Sequence, residues 1–348
     1  MKLAVIKPDH FGDLILSSAA IRAVLAQHPD ADILVASRNL PLARFLFGEE
    51  CNLRELNLPH LRKQMDAQQS VSIDLLAYDL VLFLRNDGTL DPAWADLRCR
   101  DYILPVDTHE DHQTLQDYGV VAPVVGHYDI DALHFGAGLS AVRHKASGAP
   151  ERIGLSIGSG FHANAWPAVR WIELGRQLLV EGRSVRVFCG PSEIALGRMI
   201  ADVLGLGEGG VVSGDARIAD FAREAATMDW FVASDGGTAH LCGLFAPVTS
   251  LFGPSPFRRY APFGRWNRLL TRELDCSPCC QWTARLVNGC LSTECMVGIG
   301  VEPVMAGLGL PYRYDLEPQV VEVGDGCRMY YGTSHLGFAE GMEERLAA

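Results

Sequence analysis

The chain lacks an excess of positive charge, a long apolar run and a histidine cluster with metal-ligand spacing. Its 30 Lys and Arg are outnumbered by 42 Asp and Glu, a formal net charge of −12. A general nucleic-acid binder needs a basic face, so that class is set aside; a local basic groove is not. No apolar run approaches the roughly 18 residues that span a bilayer, so no transmembrane helix is expected. The start, MKLAVIKPDHFGD, has one early lysine and a very short apolar run before its first acids, which reads as a first strand and not as a secretory signal. These absences predict a cytoplasmic chain whose ten cysteines stay mostly reduced. His109, His112, His127 and His134 are scattered over a loop-rich stretch and fit surface or packing roles better than a metal site.

What is present is α/β patterning. A length of 348 residues suggests two domains, and 48% hydrophobic with 21% charged residues is an ordinary globular balance. Residues 2–7 read as a strand and 8–13 as a loop. Residues 14–27 read as a helix with a buried face, stopped by Pro29. Strands at 31–36, 53–58 and 79–84 alternate with a helix at 40–47, which predicts a parallel, doubly wound sheet. Ligands of such sheets lie beyond the carboxyl ends of the strands, which puts Asp13 and the 85–88 turn at the mouth of a binding cleft. Asp13 is there either as a general base or as a helix-terminal carboxylate that satisfies the dipole. Residues 142–150 read as an interdomain linker.

The alternation then restarts. A strand at 152–157 leads to the loop Gly158-Ser159-Gly160, and Trp166-Pro167 opens a helix running to about 181. A strand at 184–188 leads to Cys189-Gly190-Pro191-Ser192-Glu193 and a helix to about 204. A further helix is expected at 218–226. Residues 229–256 form the most informative stretch: a buried strand, the turn Ser234-Asp235-Gly236-Gly237-Thr238, a short helix carrying His240, a second strand, and the turn Gly253-Pro254-Ser255-Pro256. Turn amides at a helix start suit an anion, and Asp235, Thr238 and His240 suit a polar cargo. Asp235 as a simple helix cap is the alternative.

In this order, Asp13, Gly158–Gly160 before Trp166-Pro167, Glu193, Asp235–His240 and Leu251–Pro256 resemble the heptosyltransferase family, glycosyltransferase family 9. The resemblance spans roughly residues 1–308. It implies a GT-B fold, two Rossmann-like domains facing each other across a cleft, and an inverting transfer of heptose from ADP-heptose to the lipopolysaccharide inner core. It implies Asp13 as the base and Asp235, Gly237 and His240 as an Asp-x-Gly-x-x-His motif. The amides of Gly236, Gly237 and Thr238 would hold the diphosphate, and Asp235 with His240 the sugar. Gly158, Ser159 and Gly160 would line the nucleotide, and Glu193 would bind the ribose diol, as a carboxylate can. The domains would be 1–148 for the acceptor, 149–315 for the nucleotide-sugar, and a tail at 316–348 that either packs back as a helix at 337–346 or forms a hairpin at 320–323 and 327–331.

One position departs from the family: Asn164 stands where a lysine usually faces the donor phosphates. Arg170, Arg258 and Arg259 are the candidate substitutes, Arg258 first among the donor-binding set. Five cysteines fall within residues 276–295, and Cys276, Cys279, Cys290 and Cys295 have spacings that suit either a structural four-sulfur metal site or ordinary thiols. The chemistry itself is expected to require no cofactor. Partners are an ADP-sugar donor and a lipopolysaccharide-type or other glycan acceptor, with no nucleic acid and at most peripheral contact at the inner face of the inner membrane. The rival functions are another GT-B enzyme, such as a nucleotide-sugar epimerase, and a non-catalytic homologue that only binds.

Overall fold

The computed structural model describes residues 1–56, 74–85, 101–103, 112–214, 217–272, 274–279, 290, 292–309 and 319–331. The chain divides into two compact units, Met1–Gly136 and Ala137–Ala339. Among the described residues no helix is long and apolar enough to cross a membrane.

In the first unit, strands β1 (Leu3–Lys7), β2 (Asp32–Val35), β3 (Leu53–Glu55), β4 (Leu80–Phe83) and β5 (Tyr102–Ile103) pair in parallel in the order β3-β2-β1-β4-β5. β1 is buried along its whole length, with Ala4 opposite Asp32 and Leu3 opposite Leu80. A parallel strand covered on both faces needs such a continuous apolar run. Each fully buried Val, Leu or Ile there contributes roughly 1.5–3 kcal/mol.

The helices of this unit are α1 (Phe11–Leu16), α2 (Ser18–Gln27), α3 (Leu40–Phe47), α4 (Gln113–Val125) and α5 (Ile130–Phe135). The single helix expected at 14–27 starts earlier and divides at Ser17. The Ser17 hydroxyl lies 2.8 Å from the Asp13 carbonyl, a side-chain contact that competes with regular helix. Arg22 of α2 gives Nη1 to the carbonyls of Leu133 and His134, both at 2.6 Å, and Nη2 to that of Leu46 at 3.0 Å. It thus places a cation on the carbonyl ends of α5 and α3, where helices lack internal donors.

The second unit carries β6 (Arg152–Ser156), β7 (Ser184–Cys189), β8 (Val211–Ser213), β9 (Trp230–Ser234), β10 (Val248–Phe252), β11 (Arg268–Arg272), β12 (Gln319–Gly324) and β13 (Cys327–Tyr331). Their order is β12-β13-β11-β10-β9-β6-β7-β8. β6 through β11 are parallel, and β13 and β12 add an antiparallel edge. The hairpin expected at 320–323 and 327–331 is present as β12 and β13, while 337–346 lies outside the described residues. The helices are α6 (Leu139–Ala146), α7 (Ala168–Val180), α8 (Ile194–Leu204), α9 (Ile218–Ala226), α10 (Gly237–Gly243), α11 (Phe257–Tyr260), α12 (Glu294–Val297) and α13 (Val301–Gly309). The stretch 142–150, read as linker, begins inside α6.

Aromatic residues lock this core. Trp166 and Trp171 meet edge to face with centroids 4.8 Å apart, and Phe188 meets Phe221 at 5.4 Å and Phe231 at 5.0 Å. Each such pair adds about 0.5–1.5 kcal/mol beyond its burial. The chain winds outward from β6 through β7 to β8, then returns to the other side of β6 with β9. The order in which strands are added reverses between β6 and β9, the point at which open α/β sheets bind ligands beyond the strand ends.

Candidate functional site

Four loops leave the carboxyl ends of the adjacent strands β10, β9, β6 and β7, and they carry the donor-side residues expected from sequence. The loops after β6 and β9 touch backbone to backbone. A methyl group added at Gly236 would sit 2.7 Å from the Gly158 carbonyl oxygen and 3.1 Å from the Ser159 Cα. One added at Gly158 would sit 2.9 Å from the Thr238 hydroxyl and 3.5 Å from Glu193 Oε2. Gly158, Glu193, Gly236 and Thr238 are therefore gathered at one place. Glycine is used there for close approach.

Polar contacts fix the arrangement. Ser156 Oγ, fully buried at the end of β6, donates to Thr238 Oγ1 at 3.0 Å. Ser192 Oγ donates to Glu193 Oε1 at 2.9 Å and orients that carboxylate. The Trp166 backbone N–H donates to Ser234 Oγ at 3.3 Å, and the indole N–H donates to the Ile299 carbonyl at 2.9 Å. Asp235 follows β9 directly and is 8% exposed; His240 lies further along on α10, also buried. α10 has seven residues, so its dipole is small, and the turn amides themselves are the donors available to an anion.

Asn164 closes this cluster. Its Nδ2 donates to Asp235 Oδ2 at 2.8 Å and to Ser255 Oγ at 3.1 Å, while its Oδ1 is buried without a hydrogen-bond partner. Leaving a buried acceptor unpaired costs about 1–3 kcal/mol. Of the substitute cations, Arg170 pairs with Glu173 at 3.1 Å on α7. Arg259 lies over the Tyr260 ring at 5.3 Å. Arg258 is exposed, 6.0 Å from the centre of the Phe257 ring, on the short helix that follows the Ser255 turn. Ser156, Ser234 and Ser255 join the site through these contacts alone. A lone serine in a strand or turn carries no spacing signal.

In the first unit, Asp13 lies in the first turn of α1, half-buried, and accepts from the His10 backbone N–H at 3.2 Å through Oδ2. The carboxylate thus sits at the start of α1, where it accepts from a backbone N–H. Beneath it lies a buried charge cluster that sequence did not reveal. Lys7 Nζ lies 3.1 Å from Asp9 Oδ2 and 3.5 Å from Asp117 Oδ2, and donates to the Leu84 carbonyl at 2.7 Å. Arg85 pairs with Asp9. Ser17 Oγ lies 2.5 Å from Asp117 Oδ2, and Gln113 donates to Asp117 Oδ1 at 2.8 Å. Burial pushes the Asp117 carboxyl up, against the pull of Lys7 and both hydrogen bonds. His112 caps α4 and His134 contacts Ser18, both buried in packing roles. His109 and residues 86–88 lie outside the described residues.

Cys276, Cys279, Cys290 and Cys295 line one cavity of about 40 Å³, together with Ala163 and Pro254. The loop is tied to the turn after β10, with Ser277 Oγ on the Gly253 carbonyl at 2.6 Å and the Cys279 N–H on the Pro254 carbonyl at 3.1 Å. The structural metal site anticipated there is not supported. Among the described residues no group of three or more His, Cys, Asp or Glu is placed to hold a metal ion. Among the described residues none of the four forms a disulfide, and burial, helped by the neighbouring sulfurs, raises the Cys295 thiol to about 11. With no metal bound, Cys295 is a neutral thiol near neutrality.

Residues 131–288 match the family model of glycosyltransferase family 9 (heptosyltransferase). The match begins after Asp13. No curated protein matches the chain by sequence. Among solved structures, the fold is similar to Escherichia coli ADP-heptose LPS heptosyltransferase II, with 19% identity, coverage of 78% of this chain and 90% of that one, and a TM-score of 0.52. A glycosyl transferase family 9 protein from Veillonella parvula is similar with 16% identity, 87% and 95% coverage and a TM-score of 0.60. E. coli heptosyltransferase WaaC with ADP is similar with 16% identity, 77% and 92% coverage and a TM-score of 0.55. At these identities the structural likeness speaks to the fold. The chain thus has a GT-B-like α/β fold, and the part of it at residues 131–288 matches the glycosyltransferase family 9 (heptosyltransferase) model.

Proposed function

We propose that the protein is an inverting glycosyltransferase whose second unit binds a nucleotide-sugar, ADP-heptose as the family implies, and whose acceptor is a hydroxyl of the lipopolysaccharide inner core or a related glycan. The observation that carries this reading is the gathering of Gly158, Glu193, Gly236 and Thr238 at the reversal of the second sheet, with Asp235 held in the same turn. Glu193 accepts from the ribose diol. The backbone amides of Gly236, Gly237 and Thr238 receive the diphosphate, with Ser159 and Gly160 along the nucleotide, and Arg258 supplies the cation. Asp235 and His240 hold the sugar.

In the transfer, the acceptor oxygen bonds to the anomeric carbon while the bond from that carbon to the diphosphate oxygen breaks. The acceptor proton passes to Asp13, and ADP leaves with the bonding electrons. Stabilising the leaving diphosphate is commonly a large catalytic contribution. The work is placed at the cytoplasmic side of the inner membrane, where both substrates are expected.

The test is calorimetric titration with ADP and ADP-heptose, with UDP and GDP as controls, followed by turnover of the Asp13→Asn variant. ADP should bind and UDP and GDP should not. Loss of a general base costs about 100-fold or more. Undiminished turnover in folded Asp13→Asn would remove Asp13 from the mechanism. A binding-only homologue is the second reading, favoured by the neutral Asn164. Consumption of ADP-heptose in the presence of acceptor excludes it.

A further inference from the structure

Ser156 ends β6, fully buried, and its hydroxyl meets side chains of α10: the Thr238 hydroxyl at 3.0 Å and the Cys242 thiol, with which it is in hydrogen-bonding contact. Burial raises the Cys242 thiol above its ordinary value, so it keeps its proton near neutrality. Each of these groups brings one hydrogen. Sulfur is a weak acceptor and a hydroxyl oxygen a good one, so the order that satisfies them best runs from the thiol to Ser156 and from Ser156 to Thr238. The hydrogen of Thr238 is then turned away from Ser156. The Gly158 carbonyl lies 3.5 Å from Thr238 Oγ1, longer than a good O–H···O hydrogen bond. Thr238 is half-buried, and a methyl group at Gly158 would meet both its hydroxyl, at 2.9 Å, and Glu193 Oε2, at 3.5 Å. Hydroxyl and carboxylate thus flank one spot. The carboxylate accepts, which suits a ribose diol, and the hydroxyl has a hydrogen to give, which suits an adjoining phosphate.

We propose that the Thr238 hydroxyl donates to the diphosphate of the nucleotide-sugar, and that Ser156 is the positioning residue that keeps the Thr238 hydrogen turned toward it. This deepens the nucleotide-sugar reading and rests on it. A hydrogen bond from a hydroxyl to a phosphate is charge-assisted and stronger than one between neutral groups. A donor already aimed where negative charge grows on the leaving group needs no reorientation during the reaction. Ser156 and Thr238 thereby perform, with neutral groups, part of the task of an ammonium at position 164. A nucleoside without phosphates gains nothing from them, so the pair selects a nucleoside diphosphate over the nucleoside.

The experiment is calorimetric titration of the full chain with ADP and with adenosine, for the native protein, Thr238→Val, Thr238→Ser, Ser156→Ala and the double variant Ser156→Ala/Thr238→Val, each checked by circular dichroism and thermal unfolding. In Thr238→Val, which keeps the shape and removes the hydroxyl, the Kd for ADP should rise about tenfold, the scale of one hydrogen bond to a charged group. Adenosine should stay within about twofold of its native Kd, and Thr238→Ser should restore most of the ADP affinity. Ser156→Ala should weaken ADP about threefold, as the loss of one neutral hydrogen bond does. Because Ser156 acts through Thr238, the double variant should bind ADP within about twofold of Thr238→Val alone. Equal weakening of ADP and adenosine in a folded variant would mean damage to the whole turn and overturn the proposal. So would unchanged ADP affinity in Thr238→Val or Ser156→Ala, or losses that add in the double variant. If the valine variant does not fold, Thr238→Ala decides by the same criteria. A native chain that binds ADP no tighter than adenosine overturns the proposal and leaves a nucleoside site standing, whereas one that binds neither sinks the nucleotide-sugar reading itself.

Discussion

Replacing Asp117 by asparagine should leave the protein at least as stable as the native chain at pH 8, although the side chain is fully buried and 3.5 Å from Lys7. Proton accounting at Ser17 is the reason. Its hydroxyl has one hydrogen, yet Oγ lies 2.8 Å from the Asp13 carbonyl and 2.5 Å from Asp117 Oδ2. The carbonyl can only accept. If Ser17 serves it, the contact with Asp117 is satisfied when the carboxyl carries a proton and donates. Burial favours the same state by raising the carboxyl, and the nearby charge of Asp13 adds to it. The sign follows from linkage. A carboxyl raised above its unfolded value of about 3.9 binds more protons in the folded state, so its contribution is fully present below that value and is lost as pH rises through the folded one. Each unit of rise corresponds to about 1.4 kcal/mol. Asparagine keeps the shape and carries no charge: its oxygen accepts from Gln113 and its –NH₂ donates to Ser17, against the cost of facing Lys7 Nζ where Oδ2 stood 3.5 Å away. Urea unfolding at pH 4, 6 and 8 should therefore show the variant gaining on the native protein as pH rises from 4 to 8. Asp117→Ala, which strips Ser17, Gln113 and Lys7 of a partner, should cost about 3–5 kcal/mol at pH 8. A loss above about 1 kcal/mol for asparagine at pH 8 would refute the reasoning and mean that Asp117 is an ion held by Lys7.

Gly236→Ala forces a carbon to within 2.7 Å of the Gly158 carbonyl oxygen, so it should cost roughly 1–3 kcal/mol of unfolding free energy and weaken ADP in the same titration. Arg258→Ala should weaken ADP about fivefold at low salt and less at high salt, as expected for an exposed charge near a diphosphate; unchanged affinity would return Arg258 to the surface. Brief alkylation with iodoacetamide at pH 8, read by peptide mass spectrometry, should mark the exposed Cys276 well before Cys295, whose thiol burial lifts to about 11. Equal labelling would mean that the cavity around Cys295 opens.

The parts of the molecule that could be read from sequence are those set by neighbours along the chain. Residues 229–256 announce a strand, a turn of small residues, a helix and a second strand, and β9, α10 and β10 follow that order. Parallel pairing of β9 with β6 then brings Gly236 against Gly158, because successive βα units of one sheet place their loops at the same edge. What could not be read depends on partners far apart. Ser17 and Asp117 are 100 positions apart and neither lies in a motif, so the buried cluster under Asp13 has no sequence signature. The break of the first helix belongs to the same contact. Cysteine spacing does not say how four sulfurs will be oriented, and here they line a cavity without forming a ligand set. Asn164 shows both sides of the limit. The sequence reveals that a lysine is missing, which reads as a loss of charge. The fold shows what no neighbour along the chain could: the amide donates to Asp235 and to Ser255, 71 and 91 positions away, and so joins the turns after β9 and β10 to the loop after β6.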